Sequence, residues 1–148
     1  MLVPRDIMYY RRMLIDDEGY KEQPYKDSLG NLTIGVGRNL DSNGLYPDEV
    51  LYLLGNDINK CLQDLRKIFN NFETFDLRRK AALLNMRFNL GPAGFRSFSS
   101  MIQCVAREDW DKAAEEALRS KWAKQLPGRS ESVARMMREG GTIEYAGD

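Results

Sequence analysis

The sequence predicts an α+β fold: a small lobe with a β-hairpin, one long connecting helix, and a larger all-helical C-terminal lobe. Three observations predict it. Strand-like alternation gathers in residues 24–37, where "LTIGVG" follows the turn "SLGN". Beyond Pro47, apolar residues recur every three or four positions as far as Phe69. From Asp76 onward, every patterned stretch has helical period. The 148 residues fit one domain.

In chain order, Arg5–Asp17 reads as an amphipathic helix with Ile7, Tyr10, Leu14 and Ile15 on one side, and Gly19 as the residue that stops it. The hairpin follows, with Leu32, Ile34 and Val36 on one face and Thr33, Gly35 and Gly37 on the other, nearly bare face. "LDSNG" (40–44) reads as a loop. Pro47 suits a first helical position, and the helix it opens has about 23 residues, roughly 35 Å at 1.5 Å per residue. The small lobe is expected at about 15–50 and the linking helix at 47–69. The helical lobe takes 70–148 and the N-terminal helix. Asp76–Leu90 is apolar nearly all round, as a buried central helix is, and Gly91-Pro92 ends it. Ser99–Ala106, Asp109–Trp122 and Arg129–Arg138 complete the set.

Composition excludes much chemistry. The chain has no histidine, so Ser-His-Asp and Cys-His hydrolases and histidine-based zinc sites are impossible. No phosphate-cradling glycine motif is complete, and neither metal nor cofactor is expected. Cys61 and Cys104 lack C-x-x-C spacing and read as core thiols. No apolar run reaches membrane-spanning length, and "MLVPRDIMYYRRM" lacks the apolar core of a signal peptide. Residues 1–77 hold 9 Lys/Arg against 13 Asp/Glu, and residues 78–148 hold 13 against 9. The basic half is compatible with an anionic partner, but no recognisable motif supports nucleic acid.

Acid–base work therefore falls to carboxylates, and "IDDEG" places three at the end of the first helix. Carboxylates there face the negative end of the helix dipole. The apolar stripe 7, 10/11, 14 continues to Glu18, which is expected to point inward, where desolvation favours its protonated form. Asp27 precedes the hairpin turn and can project near Thr33. A protonatable Glu, an exposed Asp and a hydroxyl could line a cleft floor, and two carboxylates in contrasting environments are the minimal apparatus for glycoside hydrolysis.

The stretch "DEGYKEQPYKDSLGNLTIGVG" resembles the active-site segment of bacteriophage lysozymes of the T-even type, glycoside hydrolase family 24. Eight residues separate Glu18 from Asp27, and Thr33 follows Asp27 by six, the spacing of that family. The likeness continues through "LRRKAALLNMRFNLG", "DWDKAAEEALRSKW" and "QLPGRSESV". It implies a lysozyme-like fold and hydrolysis of the β-1,4 bond between N-acetylmuramic acid and N-acetylglucosamine. Glu18 would protonate the leaving oxygen, Asp27 would assist a water, and Thr33 would hold it. Phe88 and Asn89 match cleft-facing positions that bind substrate. Arg129 matches an arginine that pairs with the acid, and Asp57 a carboxylate that here would pair with Arg38. The implied partners are bacterial peptidoglycan and, for release from the host cytoplasm to the wall, a holin; the enzyme would be a monomer, without membrane insertion. The chain departs from the family pattern at Arg38, Asn39, Met101 and Glu116, and is shorter between Leu40 and Pro47. A lytic transglycosylase would use Glu18 but needs no water-holding pair, and a non-catalytic wall-binding module would need none of the three.

Overall fold

A computed structural model describes residues 4–142. In order, the elements are α1 (Arg5–Glu18), β1 (Lys21–Lys26), β2 (Leu32–Gly35), β3 (Arg38–Asn39), α2 (Leu40–Asn43) and α3 (Pro47–Ile68). A 3-10 turn (Phe72–Thr74) leads to α4 (Leu77–Arg96), α5 (Ser99–Ala106), α6 (Trp110–Leu118), α7 (Lys121–Gln125) and α8 (Pro127–Glu139). The fold is α+β, as the patterning predicts. The chain divides into two compact units, one ending at Tyr52 and one beginning at Leu53, so the boundary falls inside α3. Among the described residues, no helix is long and apolar enough to cross a membrane.

In the first unit, α1 stops where expected: Gly19 adopts φ 83° and its N–H returns to the Ile15 carbonyl at 2.9 Å. No residue of α1 is buried, so the apolar side predicted from spacing has no cover within this unit. The sheet has three antiparallel strands in the order β1-β2-β3, not the two of a simple hairpin. The third strand exists because Gly35 (φ 68°) and Gly37 (φ 66°) both take left-handed backbone conformations and reverse the chain around Val36. Val36 thus lies in a turn, and the expected alternation of Leu32, Ile34 and Val36 on one face ends at Ile34. Thr33 is 3% exposed rather than lying on an open face. It sits on the central strand, opposite Tyr25 on one side and Asn39 on the other. The register slips between Lys21 and Tyr25, where Pro24 has no N–H to give the ladder.

Residues 40–44, read as a loop, contain the short helix α2. Asn39 caps it, its Oδ1 accepting from Ser42 N at 3.0 Å, and Asp41 Oδ2 accepts Leu32 N at 2.7 Å. Arg38 donates to the Gly44 carbonyl at 3.1 Å and to Glu49 Oε1 at 2.9 Å, with its guanidinium over the Tyr46 ring. The same Glu49 oxygen accepts Tyr46 N at 2.8 Å. Within this unit, Glu49 is therefore the carboxylate that Arg38 holds. The reason is local: a carboxylate in the first turn of α3 already faces the loop it must close. Asp57, the partner the family pattern implies, belongs to the second unit.

The second unit is built on a core of Leu65, Phe69, Phe72, Leu83, Met86 and Phe95, with Trp110 and Met137 on its flanks. Phe69 meets Phe95, and Phe75 meets Trp110, edge to face with centroids 6.4 and 4.9 Å apart. α6 packs on α5 and α8, and α8 on α4. Asp76 caps α4, accepting Arg79 N at 3.0 Å. Gly91 (φ 76°) breaks this helix one residue before Pro92, at the expected stop, and a further turn runs on to Arg96. The predicted helix over 109–122 is two helices, because Ser120 caps α7 by accepting Ala123 N at 3.1 Å. Cys61 and Cys104 are buried free thiols.

One charged group was hidden in the apolar pattern of α4. Arg87 is 5% exposed, and its Nε donates to Asp64 Oδ2 at 2.6 Å. Arg96 also holds Asp64, whose carboxyl the two arginines keep below its ordinary pKa, Arg96 contributing most. Removing this carboxylate strands a buried guanidinium, so Asp64→Ala is expected to destabilise the protein by about 3 kcal/mol in urea unfolding. Arg66→Ala, which breaks an exposed pair with Glu73, should change stability by less than about 1 kcal/mol. Equal effects would show that the Asp64 pair carries no special weight. The Arg38–Glu49 pair has a defined pH range. Arg38 lowers the pKa of Glu49 below its ordinary 4.5, so the pair's contribution is complete above that value and is lost as pH falls through the lowered one. NMR of the Arg38 Nε–H should show no change from pH 8 to 6 and a shift only below about 4.5. A transition near neutrality would contradict it.

Candidate active site

The sequence candidates fall into two sets, one in each unit. Glu18, Asp27, Thr33 and Arg38 belong to the first; Asp57, Phe88, Asn89 and Arg129 belong to the second.

Glu18 closes α1, and the last turn of that helix contains no basic residue to offset the dipole. Its side chain is exposed, and within its unit it accepts no hydrogen bond. The carboxylate lies against backbone: a Cβ built on Gly37 would stand 3.1 Å from Glu18 Oε2. Gly37 is thus constrained twice, by its φ of 66° and by the acid beside it.

Asp27 has the opposite setting. Its Oδ1 accepts Leu29 N at 2.9 Å and Asn31 N at 2.8 Å, and its Oδ2 accepts Asn31 Nδ2 at 3.2 Å. The backbone closes the same turn, with Asp27 N donating to Asn31 O at 2.9 Å and Gly30 N to Asp27 O at 3.0 Å. These donors, led by Asn31 N–H, hold the carboxyl below its ordinary value of 3.8. Asp27 is both the turn-forming Asx residue that "DSLGN" suggests and an ionised carboxylate over the whole neutral range.

Thr33 joins Asp27 through one residue. Its Oγ1 donates to the Asn31 carbonyl at 2.9 Å. Asp27 and Thr33 are both bonded to Asn31, which sequence reading passed over. Asx-turn chemistry in "DSLGN" was the available signal, because an Asp so placed bonds the backbone a few residues on.

In the second unit, Phe88 is 44% exposed and lines a hollow of about 260 Å³ with Leu54, Ile58, Leu84, Asn85 and Arg129. Arg129 Nε donates to Asn85 Oδ1 at 2.7 Å. Asn85 precedes Asn89 by one helical turn and was also missed. Asn89 Oδ1 accepts Trp122 Nε1 at 2.8 Å, which fixes the orientation of its amide. Trp122 borders a separate hollow of about 390 Å³ with Phe98, Lys121 and Gln125. Asp57 lies with Lys60, Cys61, Arg87 and Phe88 around a third, of about 210 Å³.

The departures from the family pattern have structural causes. Asn39 caps α2, and Met101, 1% exposed, is a core residue. Glu116 is half-buried and faces Arg119 at 3.4 Å one turn on. Among the described residues, no cluster of three or more acids or cysteines has metal-ligand geometry.

Comparison with known proteins agrees with the segment that carries this site. A family model described as phage lysozyme matches residues 16–138. "Probable T4-type lysozyme 2" of Dictyostelium discoideum is 29% identical over 90% of this chain and 95% of its own length. "Pre-baseplate central spike protein Gp5" of Enterobacteria phage T4 is 26% identical over 93% of this chain, but 29% of its own length. "Peptidoglycan hydrolase gp36" of Pseudomonas phage phiKMV is 25% identical over 92% of this chain and 16% of its own. The matched stretch opens two residues before Glu18 and closes one residue before the end of α8: the chain belongs to the phage lysozyme family, and is a lysozyme-type glycosidase.

Proposed function

We propose that this enzyme hydrolyses the β-1,4 bond between N-acetylmuramic acid and N-acetylglucosamine in bacterial peptidoglycan, with inversion at the anomeric carbon. The observation that carries the reading is the contrast between two carboxyl groups in one unit. Glu18 accepts no hydrogen bond there and stands at the negative end of a helix. Asp27 is held ionised by three N–H donors. Carboxyls whose environments differ in this way divide the labour of acid and base.

Glu18 gives its proton to the leaving glycosidic oxygen. Asp27 takes a proton from the attacking water, whose oxygen bonds to the anomeric carbon on the opposite face. Direct attack by Asp27 is disfavoured on this reading. Both of its oxygens are committed to N–H donors, which makes it a weakened nucleophile, and a nearby hydroxyl, Thr33, serves a water-mediated step rather than a covalent one. Because Thr33 is 3% exposed, any water it binds is shielded from exchange with bulk. Phe88 offers an exposed ring to a sugar face, and Asn89, oriented by Trp122, offers its amide N–H groups. Arg38 supports the first-unit residues by fixing the loop after β3, and the family resemblance favours supporting roles for Arg129 and Asp57. Family membership supports action as a monomer on the wall after a holin opens the inner membrane.

Glu18→Gln keeps the shape and removes the transferable proton, so turnover of purified peptidoglycan should fall by at least about 10²-fold. A folded variant with more than a tenth of wild-type activity would remove Glu18 from the acid's role. Stereochemistry is read separately, by NMR of a fresh digest. Inversion of the β-linked glycan gives an initial α-anomer at the new reducing end, whereas an initial β-anomer would mean retention and 1,6-anhydro ends a transglycosylase.

A further inference from the structure

We infer that Asn31 is a positioning residue for the attacking water: it makes both Asp27 and Thr33 acceptors towards that water, so that the water's lone pair is left for the sugar. This rests on the hydrolytic roles proposed above for Asp27 and Thr33, and adds a residue that neither the spacing nor the family pattern marks.

The hydroxyl of Thr33 has one proton, and that proton is committed at 2.9 Å to the Asn31 carbonyl, which can only accept. Towards any other partner, Thr33 Oγ1 can then only accept. Ionised Asp27 offers two acceptor sites on each oxygen. Oδ1 uses both, on Leu29 N and Asn31 N, and Oδ2 uses one, on Asn31 Nδ2. One site on Oδ2 remains. A water between these groups gives one proton to Thr33 and one to Asp27, and its oxygen lone pairs point away from both. As the oxygen bonds to the anomeric carbon, the proton on the Asp27 side passes to Oδ2, and the electron pair of the glycosidic bond leaves with the departing oxygen. Without the Asn31 carbonyl, Thr33 is free to donate to the water and turn its lone pairs inward. Without the amide, Oδ2 rotates more freely and competes for the water in several orientations.

The charge environment is equally local. The charged side chains of the elements joined to or paired with this turn are Lys21, Glu22 and Lys26 on β1, Arg38 on β3 and Asp41 on α2. Arg38 is committed to Glu49 and Asp41 to Leu32 N, and none of the five bonds Asp27. The lowering of the Asp27 pKa comes from Asn31, Leu29 and Gly30, with no charged side chain among its causes.

Three variants and the wild type test this. Asn31→Ala keeps the backbone bonds and loses the amide donor. It should lower kcat by about fivefold or more with KM within about twofold, and raise the Asp27 titration midpoint in 13C NMR, moving the acid limb of the kcat profile to higher pH. Asn31→Asp has the same shape and equal aptitude for a turn, but sets an acceptor and a like charge against Oδ2. It should be worse than Asn31→Ala in kcat and should raise the Asp27 midpoint further. A residue that merely shaped the turn would show the reverse order, with Asp close to wild type. Wild-type kcat in both variants, or an unmoved Asp27 midpoint in both, would overturn the inference. Asp27→Asn in the same assay separates the two levels. If it retains full turnover, the hydrolytic reading itself fails; if it is inactive while both Asn31 variants are unaffected, only the role of Asn31 fails.

Discussion

The knot of hydrogen bonds between Asp27, Asn31 and Thr33 is the constraint on which the first unit depends. It closes the β1–β2 turn, Asp27 N donating to the Asn31 carbonyl and Asn31 N to Asp27 Oδ1, so it sets which residues face each other across the strands. With the register fixed at Tyr25↔Thr33, Thr33 becomes the centre of a three-stranded sheet, and its hydroxyl returns to the turn that placed it. A one-residue slip would send Thr33 to the opposite face and separate it from Asp27. The residue proposed to activate water is therefore also the one that holds the strand register, and fold and chemistry share the same bonds.

A chain without histidine must make its polar ties from groups that do not titrate near neutrality. The loop after β3 is tied by Arg38 and Glu49, the core of the second unit by Arg87, Arg96 and Asp64, and the end of α8 by Arg79. Arg79 donates to the carbonyls of Met137 and Arg138 at 2.7 and 2.9 Å while lying over Trp110. Guanidinium is charged at every accessible pH and presents several donors in one plane, so one arginine can close a loop or cap a helix by itself. Each carboxylate partner has its pKa lowered by the arginine or N–H donors around it. Across the neutral range these ties keep their charges.

Where the sequence was legible, the signal was long and periodic. The stripe from Pro47 to Phe69 locates α3 to within a residue, and Gly91-Pro92 marks the break in α4 where the backbone does leave helical angles. Short elements were misread because single side chains decided them. Asn39 turned an expected loop into α2, and Ser120 divided a continuous amphipathic run in two, since a cap of about 1 kcal/mol is enough to settle a helix of four or five residues. Two glycines with left-handed backbone ended the strand alternation at Ile34. Arg87 looked like a polar point on an apolar helix because its partner, Asp64, lies 23 positions away. Glu49, which closes the loop around Arg38 from the first turn of α3, went unmarked because its only signal is a single carboxylate at a helix start. For the site, the spacing of Glu18, Asp27 and Thr33 was plain, but Asn31 was not: its effect runs through two backbone atoms and one amide, and backbone atoms leave no mark in composition.

The row of acids at the end of α1 can now be weighed against local stability. Asp16, Asp17 and Glu18 stand where a helix favours cations, an arrangement that each makes unfavourable by roughly 0.3–1 kcal/mol. Nothing in the last turn offsets it. The chain also gives up side chains at Gly19 and Gly37, where ordinary residues would be strained, and at Gly37 a Cβ would press on the Glu18 carboxylate. These are three separate departures from what a helix end and a strand turn prefer, and all converge on one carboxyl group. Asp27 shows the contrary treatment, with three N–H donors turned towards its carboxylate. A scaffold selected for stability alone would have no reason to treat two carboxylates nine positions apart so differently. A scaffold that must keep one carboxyl ready to give a proton, and the other ready to receive one, has a reason at each of these positions.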